Sequence, residues 1–387
     1  MEAKLNSVHD LDGSPDALPK YRQIADALRT KIMAAGYSPG EKLPTDAELS
    51  KHFQSSRLTV IKALRQLEME GLVSRKAGSG TYIGLQYQDN PHSFGLLIPD
   101  LGQGEIFEPI CQGMARAGSP SRQELIWGNT SSGGIHDKET QALDLCKSFI
   151  ARKVDGVFFA PLELSAHKEE INQQIVTHLE EAGIPIVLLD RSTKPFPEPT
   201  QHDLVGIDNW REGFRMAKYL LDLGCKGLGF VLRPGSAPTV EARIAGLNEA
   251  LRQHGQVMSP ECVLRADPTD RDAVQAWLSN LHPDGILCAN DYTAGQLMHT
   301  LASLGLRVPV DVRIVGFDDV KYASILPVPL TTLRQPCIEI GVAAMKAMLA
   351  RLEDPSMVPR TISLDCRIIV RDSCGANLGL PPKSSAS

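Results

Sequence analysis

No uninterrupted apolar run in this 387-residue chain approaches membrane-spanning length, which argues against a helical membrane protein. Its opening stretch, MEAKLNSVHDLDGSPDALPK, lacks an apolar core behind basic residues. No signal peptide is expected, and the protein is expected in the cytoplasm. The eight cysteines (Cys111, Cys146, Cys225, Cys262, Cys288, Cys337, Cys366 and Cys374) include no CxxC pair and sit mostly among apolar residues. Zinc-ligand spacing is missing, and buried reduced thiols are the expectation. Ten histidines show no metal pairing. A Gly-x-Ser-x-Gly elbow, a Walker loop and a His-Glu-x-x-His pair are all absent. Gly102-Gln103-Gly104 lacks the third spaced glycine of a dinucleotide fingerprint. These omissions point away from an enzyme and imply no catalytic residues, no metal and no cofactor.

The chain is long for one domain and comfortable for two or three, and 42% hydrophobic residues can bury sizeable cores. A net charge of −6 argues, taken whole, against a nucleic-acid binder. By segment the picture reverses. Pro19 to Gly84 carries eleven Lys+Arg against six Asp+Glu, a net +5, which leaves about −11 for the rest. A small basic module on an acidic body suits DNA reading.

Within that module, Leu43 to Gly84 reads as helix, tight turn, helix and a basic hairpin. Thr45 or Asp46 can cap a first helix through Phe53, and a serine of Gln54-Ser55-Ser56 can cap a second. The second helix should run from about Arg57 to Glu70, with Val60, Ala63, Leu64 and Leu67 on its packed stripe. Gly71 stands where a left-handed residue closes a helix. Leu72-Val73 and Thr81-Tyr82-Ile83 read as short strands around Arg75-Lys76-Ala77-Gly78-Ser79-Gly80. Arg57, Leu58, Ile61, Lys62 and Arg65 turn away from the core side. Three cations suit phosphates and guanine edges in a major groove, and Leu58 and Ile61 could meet thymine methyls. Read alone, the helix is equally an ordinary amphipathic surface helix; the glycine-tipped wing tilts the reading toward a winged helix-turn-helix.

Tyr21 to Gly84 resembles the DNA-binding domain of the GntR family of bacterial repressors. The matching residues are Tyr37-Ser38-Pro39-Gly40-Glu41-Lys42-Leu43-Pro44, Ser56-Arg57 with Thr59, Ala63-Leu64 with Leu67, Gly71-Leu72-Val73 and Gly78-Ser79-Gly80-Thr81-Tyr82. The resemblance implies that Ser56, Arg57 and Thr59 open the recognition helix on DNA and that Gly78 to Gly80 tip the wing. The full DNA-facing set expected is Lys42, Thr45, Ser55, Ser56, Arg57, Thr59, Lys62, Arg65, Arg75, Lys76, Gly78 and Gly80. Ala47 and Ile61 stand where many members carry arginine.

Beyond a polar stretch, Leu85 to Ser93, the rhythm changes to apolar strands alternating with helices. Strands are expected at Phe94–Pro99, Glu124–Trp127, Gly156–Ala160, Pro185–Leu189, Leu204–Ile207, Gly227–Leu232, Gly285–Cys288 and Arg313–Gly316. Helices are expected near 105–117, 137–152, 167–182, 209–223, 239–254, 271–280, 292–304 and 336–352. Such a pattern implies parallel sheets covered on both faces, here in two lobes. Ligands in such sheets bind beyond the carboxyl ends of strands. Asp100, Asp190-Arg191, Asn290-Asp291 and Asp318-Asp319 follow strands in this way. Carboxylates and arginines so placed suit a polyol, with an aromatic face such as Phe107 below. Each residue taken singly is better explained as a helix cap or a surface ion pair; several together, at equivalent positions, favour a ligand cleft.

From about Phe94 to Asp372 the chain also resembles the effector domain of the LacI/GalR family and the related periplasmic sugar-binding proteins. The carrying residues include Ile186-Val187-Leu188-Leu189-Asp190-Arg191, Ile207-Asp208-Asn209, Glu241-Ala242-Arg243-Ile244-Ala245-Gly246, Asp284 to Asp291, Ile314 to Asp319 and Pro329 to Pro336. The resemblance implies two lobes closing on a small ligand, and a body dimer. Carried over residue by residue, Arg243 would bind sugar hydroxyls, Asn290, Asp318 and Gln335 would complete the pocket, and Asp190 or Arg191 would contribute from the first lobe. Phe107 would be a stacking wall. Gly102-Gln103-Gly104-Glu105 replaces the Asn-Pro pair many members carry near the first strand.

The expected fold class is α/β: an N-terminal winged helix-turn-helix plus a two-lobed periplasmic-binding-protein-like domain with parallel sheets. The expected organisation is a leader at 1–18, a DNA-binding domain at 19–84, a linker at 85–93, an effector domain at 94–374 and a tail at 375–387. The function this implies is a cytoplasmic transcriptional regulator, a repressor, that binds double-stranded operator DNA as a homodimer and senses a small sugar, with no membrane involved. A purine or sugar-phosphate effector stays open as an alternative; a carbohydrate-processing enzyme or a secreted sugar carrier fits less of the chain.

Overall fold

The structure, a computed structural model, describes residues 19–33, 37, 40–76, 79–84, 92–98, 106–117, 123–128 and 138–378. The leader at 1–18, most of the stretch from 85 to 93, Gly78, the Lys76 side chain, Asp100, Gly102 to Glu105 and the tail from 379 lie outside the described residues. The chain divides into two compact units, Met1–Pro91 and His92–Ser387.

In the first unit, α1 (Lys20–Met33), α2 (Asp46–His52) and α3 (Arg57–Met69) precede a hairpin of β1 (Val73–Lys76) and β2 (Gly80–Ile83). Local chemistry fixes each boundary. Thr45, not Asp46, caps α2 in a reciprocal capping box with Glu48, and Ser56 caps α3 by accepting the Thr59 N–H. Gly71, at φ +67°, turns the chain out of α3 at no steric cost. Val60, Ala63, Leu64 and Leu67 pack against Ile24, Leu28 and Ile32 of α1 and Leu49 of α2, all fully buried. The Arg29 guanidinium donates to both Glu70 oxygens at 2.9 and 2.6 Å, tying α1 to the end of α3. Residues 41–43 add a short bridge to the wing through Lys42 and Tyr82.

The second unit continues with β3 (His92–Leu97), α4 (Phe107–Ala117), β4 (Gln123–Trp127), α5 (Lys138–Arg152), β5 (Gly156–Phe159), α6 (Lys168–Glu181), β6 (Ile186–Leu189), β7 (Asp203–Ile207) and α7 (Asn209–Asp222). It is completed by β8 (Leu228–Leu232), α8 (Pro238–Gln253), β9 (Val263–Arg265), α9 (Arg271–Leu281), β10 (Gly285–Cys288), α10 (Asp291–Ser303), β11 (Arg313–Asp318), β12 (Thr331–Arg334), α11 (Cys337–Glu353), β13 (Thr361–Leu364) and β14 (Arg367–Ile369). Among the described residues these strands form two six-stranded sheets. The first lobe's sheet runs β13-β7-β6-β5-β3-β4 and is parallel throughout; the second runs β14-β12-β11-β10-β8-β9 and is parallel except for its β14 edge. Strands β5, β6, β8 and β10 are buried along their whole length, as sheets with helices on both faces require.

Several boundaries differ from expectation. Strand β3 begins at His92 rather than Phe94, because the Asp155 carboxylate accepts the Ser93 N–H at 2.7 Å and β4 pairs alongside from Gln123. Chain beyond Cys374 turns into a short 3-10 helix, Ala376–Leu378, before the described residues end. Strands β9, β12, β13 and β14 are additions to the expected set. The chain passes between lobes three times, between β7 and α7, β12 and α11, and β13 and β14.

Candidate functional site

On the first unit, Arg57, Leu58, Lys62 and Arg65 all lie exposed on α3, opposite its buried stripe. Leu58 is 79% exposed, an apolar side chain held in water where a bland surface helix would carry a polar one. Arg57 and Arg65 have no ion-pair or hydrogen-bond partner among the described residues. The Lys62 ammonium stands 4.2 Å from the Tyr21 ring centroid, fixed by a cation–π contact. Lys42 lies against the wing, its ammonium 5.8 Å from the Tyr82 ring and its chain close enough to Gly80 that a Cβ there would sit 2.7 Å from Cε. Other expected DNA contacts have structural work. Thr45 is committed to the α2 cap, and the Ser56 and Thr59 hydroxyls bond each other at 2.8 Å. The Ser55 carbonyl accepts the Ser50 hydroxyl. Arg75 donates to Asp46 at 2.7 Å, so its guanidinium is tied to the start of α2 instead of reaching from the wing.

In the second unit the expected effector residues come together where the two lobes face each other. Asp190 directly follows β6 at φ +66°, and Asp318 ends β11 at φ +115°. Each lobe lays an arginine over a phenylalanine: Arg191 stands 5.5 Å from the Phe107 ring, and Arg243 stands 4.4 Å from the Phe317 ring. Phe107, expected as an open stacking wall, is therefore covered and 4% exposed. Arg191 also donates to the Pro161 carbonyl at 2.8 Å and to Glu163. Arg243 donates to Asn209 at 2.8 Å and to the Ala289 carbonyl. Gln335, on the crossing from β12 to α11, donates to Asp318 at 2.8 Å. Asn290 is chiefly a helix cap: its side-chain oxygen accepts the Thr293 N–H at 2.9 Å.

The local fold explains why Arg243 sits where it does. Helices α7 and α8 pack so closely that a Cβ on Gly213 would lie 2.6 Å from the Arg243 Cα. Glycine there lets α8 approach and carries the Arg243 guanidinium to the cleft wall.

Burial and charge then set the protonation of the cluster. Burial pushes the Asp190 carboxyl up, against the pull of Arg191 and Arg243. Asp318 is pushed up to about 7 by burial, opposed by Arg243 and the Gln335 hydrogen bond. Glu163 goes the other way: burial works against its charge, but Arg191 and the Ala237 N–H hold it below the usual range. Asp291, wholly buried beneath the cleft, is pushed well above the carboxylate range by burial and by Asp318, while Thr332 and the Val320 N–H bond it. Two buried acceptors, Asp190 Oδ1 and Gln335 Oε1, have no donor among the described residues.

Both halves have known counterparts. Residues 20–83 match the family described as bacterial regulatory proteins, gntR family, and residues 217–374 match the periplasmic binding protein-like domain. The arabinose metabolism transcriptional repressor of Halalkalibacterium halodurans is 27% identical over 350 residues, 86% of this chain and 89% of that one. The HTH-type transcriptional repressor PurR of Vibrio campbellii is 30% identical over 255 residues, 64% of this chain and 71% of that one. The chain is a bacterial transcriptional regulator with a gntR-family reader and a LacI-type effector body. Solved structures share the regulator's fold. A complex of the transcriptional regulator CelR with cellobiose aligns at a TM-score of 0.60 and 22% identity, covering 84% of this chain and 93% of that one. A LacI family regulator from Enterococcus faecium with bound ribose aligns at 0.57 and 24%, covering 73% and 98%.

Three participants in this regulator's cleft escaped sequence reasoning. Glu163 follows β5 as Asp190 follows β6, so its place after a strand end was a usable signal. Asn209 sat in a quoted motif without a role, and Phe317 was hidden by its position inside a strand. Among the described residues no group of three His, Cys, Asp or Glu could hold a metal ion, and no helix is long and apolar enough to cross a membrane.

Proposed function

We propose that this regulator is a cytoplasmic, homodimeric repressor, not an enzyme, which grips a near-palindromic operator with two winged helices and releases or tightens that grip when a small neutral sugar enters the cleft. In this reading residues 19–84 form the reader and 94–374 the sensor. Arg57, Lys62 and Arg65 carry the DNA contacts, with Lys42 and Gly80 at the wing. Asp190, Arg191, Arg243, Asp318 and Gln335 take the sugar. The observation that carries the sugar is the pair of buried, donorless acceptors, Asp190 Oδ1 and Gln335 Oε1, framed by two guanidiniums. Such a site asks for a ligand that both donates and accepts along its edge, as adjacent hydroxyls do. Charge supports a neutral ligand over a sugar phosphate: Arg191 is already paired with Glu163, and Arg243 faces the Asp190 and Asp318 carboxyls, so no unbalanced cation is offered to a phosphate. Sugars are also what two solved neighbours hold, cellobiose and ribose.

A thermal-shift screen of the full chain against L-arabinose, D-ribose, cellobiose, ribose 5-phosphate and adenine tests the reading, since stabilisation grows with ligand over Kd. A neutral sugar should stabilise the protein and change its footprint on a selected operator. Stabilisation by ribose 5-phosphate or adenine alone would end the neutral-sugar reading.

A further inference from the structure

Beside the cleft residues, two loops of opposite lobes are joined. The loop between β5 and α6 meets the loop between β8 and α8 through four hydrogen bonds. The Leu164 N–H donates to the Gly235 carbonyl at 2.8 Å. The Lys168 ammonium donates to the carbonyls of Gly235 and Ser236 at 2.8 and 2.7 Å. The Ala237 N–H donates to Glu163 at 3.2 Å. Both loops are shaped before they meet. Glu139 of α5 accepts from the Ser165 hydroxyl at 2.6 Å and the His167 N–H at 2.9 Å, while the Ser236 hydroxyl donates to the Arg233 carbonyl at 2.7 Å. Leu164 is held at φ +54° and Gly235 at φ +80°, where a Cβ would come 3.4 Å from the Leu164 Cα.

We propose that Lys168 is a clasp residue: it holds the lobes together across the mouth of the cleft and so sets how much of the regulator is closed before any effector binds. Three features single it out. Its side chain is only 14% exposed although an ammonium at a helix start would ordinarily reach for water. Its two acceptors are backbone carbonyls, so the contact depends on the position of the opposite loop and not on that loop's side chains. Glu169, its nearest carboxylate, is 3.8 Å away and 78% exposed, a weak competitor. Opening the lobes strips Lys168 of both carbonyls at once and returns it to solvent. Because apparent affinity scales with the fraction of molecules already closed, the clasp tunes the response without touching the ligand. The clasp rests on the two-lobed body and on no particular effector.

Hydrogen exchange on the ligand-free full chain tests it directly. Peptides covering 162–168 and 233–241 lie on opposite lobes, and the Leu164 amide is protected only by the interlobe bond. In Lys168→Met both peptides should exchange about tenfold faster or more, the loss expected from charge-assisted hydrogen bonds, while α5 peptides over 138–150 stay as in the parent. Lys168→Arg should restore protection, since a guanidinium can donate to both carbonyls. Faster exchange in 162–168 alone would mean a merely local role for Lys168 and overturn the proposal; so would unchanged exchange in both peptides. The measurement needs no ligand, so a chain that binds no sugar fails the functional reading and leaves the clasp to be judged separately.

Discussion

Helix α3 and the interlobe cleft hold their cations in opposite ways. On α3, Arg57 and Arg65 stand in water with no partner among the described residues, spaced along one exposed face. In the cleft, Arg191 and Arg243 are almost wholly buried, each stacked on an aromatic ring and bonded to carbonyls and side chains. An exposed, unpaired cation keeps its full attraction for a polyanion that arrives from solution, and it costs little to hold there. A buried cation must be balanced from within, so it is suited to aiming hydrogen bonds at a ligand of little charge, the role proposed for it. In the proposed function the same residue type is thus a long-range lure in one unit and a fixed template in the other.

The largest way to break that contrast is Arg243→Ala. Removing the charge leaves Asp190 and Asp318 without their shared counter-ion, and the body should lose about 3 kcal/mol in denaturant unfolding. Ligand-induced stabilisation should vanish while the folded fraction still binds operator. Loss of operator affinity in folded protein would show that the units are not separable. Gly213→Ala should act on the same group indirectly: α8 must shift away from α7, so ligand affinity should fall although no ligand contact is altered.

A second test uses protons. Asp318 has its carboxyl raised in the folded state, from 3.8 to about 7. Between those values the folded chain binds more protons than the unfolded chain, so this group makes stability fall as pH rises through that window. Asp318→Asn should flatten that part of the profile in thermal unfolding between pH 4 and 7. An unchanged slope would mean that the carboxyl is already ionised throughout.

Smaller effects belong to the reader. Arg57→Ala should weaken binding to an operator selected from random duplexes by roughly tenfold or more, the scale of one base contact, and leave effector affinity alone. Arg65→Ala should act evenly across sequences and lower the salt slope by about one. Ser56→Ala should cost about 1 kcal/mol, read as a lower melting point of the first unit, because the α3 cap is lost. A larger loss of DNA affinity than of stability there would return Ser56 to the list of DNA contacts.

How far the chain could be read depended on the range of the forces involved. Helices α2 and α3 of the reader were legible to within a residue or two because caps, a left-handed glycine and an apolar stripe all act within one turn. The long body helices and most strands were legible for the same reason. Strands β13 and β14 were not: TISL and RII are short, half-exposed edge segments, and they exist because β7 and β12, far away in the chain, offer free edges. The cleft was half legible. Asp190, Arg191, Arg243, Asp318 and Gln335 do gather, but Asn290 serves first as a cap and Phe107 as a seat for Arg191. On the reader, Thr45, Ser56, Thr59 and Arg75 are drawn into structural bonds that the pattern of residue types does not distinguish from DNA contacts.

By itself, then, the order of residues determined where helices start and stop, which faces are apolar, and that a basic reader precedes an acidic α/β body, since each follows from neighbours a few residues apart. Tertiary structure alone decided which cations are free and which are paired, how Glu163 reaches Arg191, and that Lys168 meets the opposite lobe. Those outcomes hang on carbonyls and carboxylates brought within 3 Å by folding, and the energy of a hydrogen bond depends on that distance, not on separation along the chain.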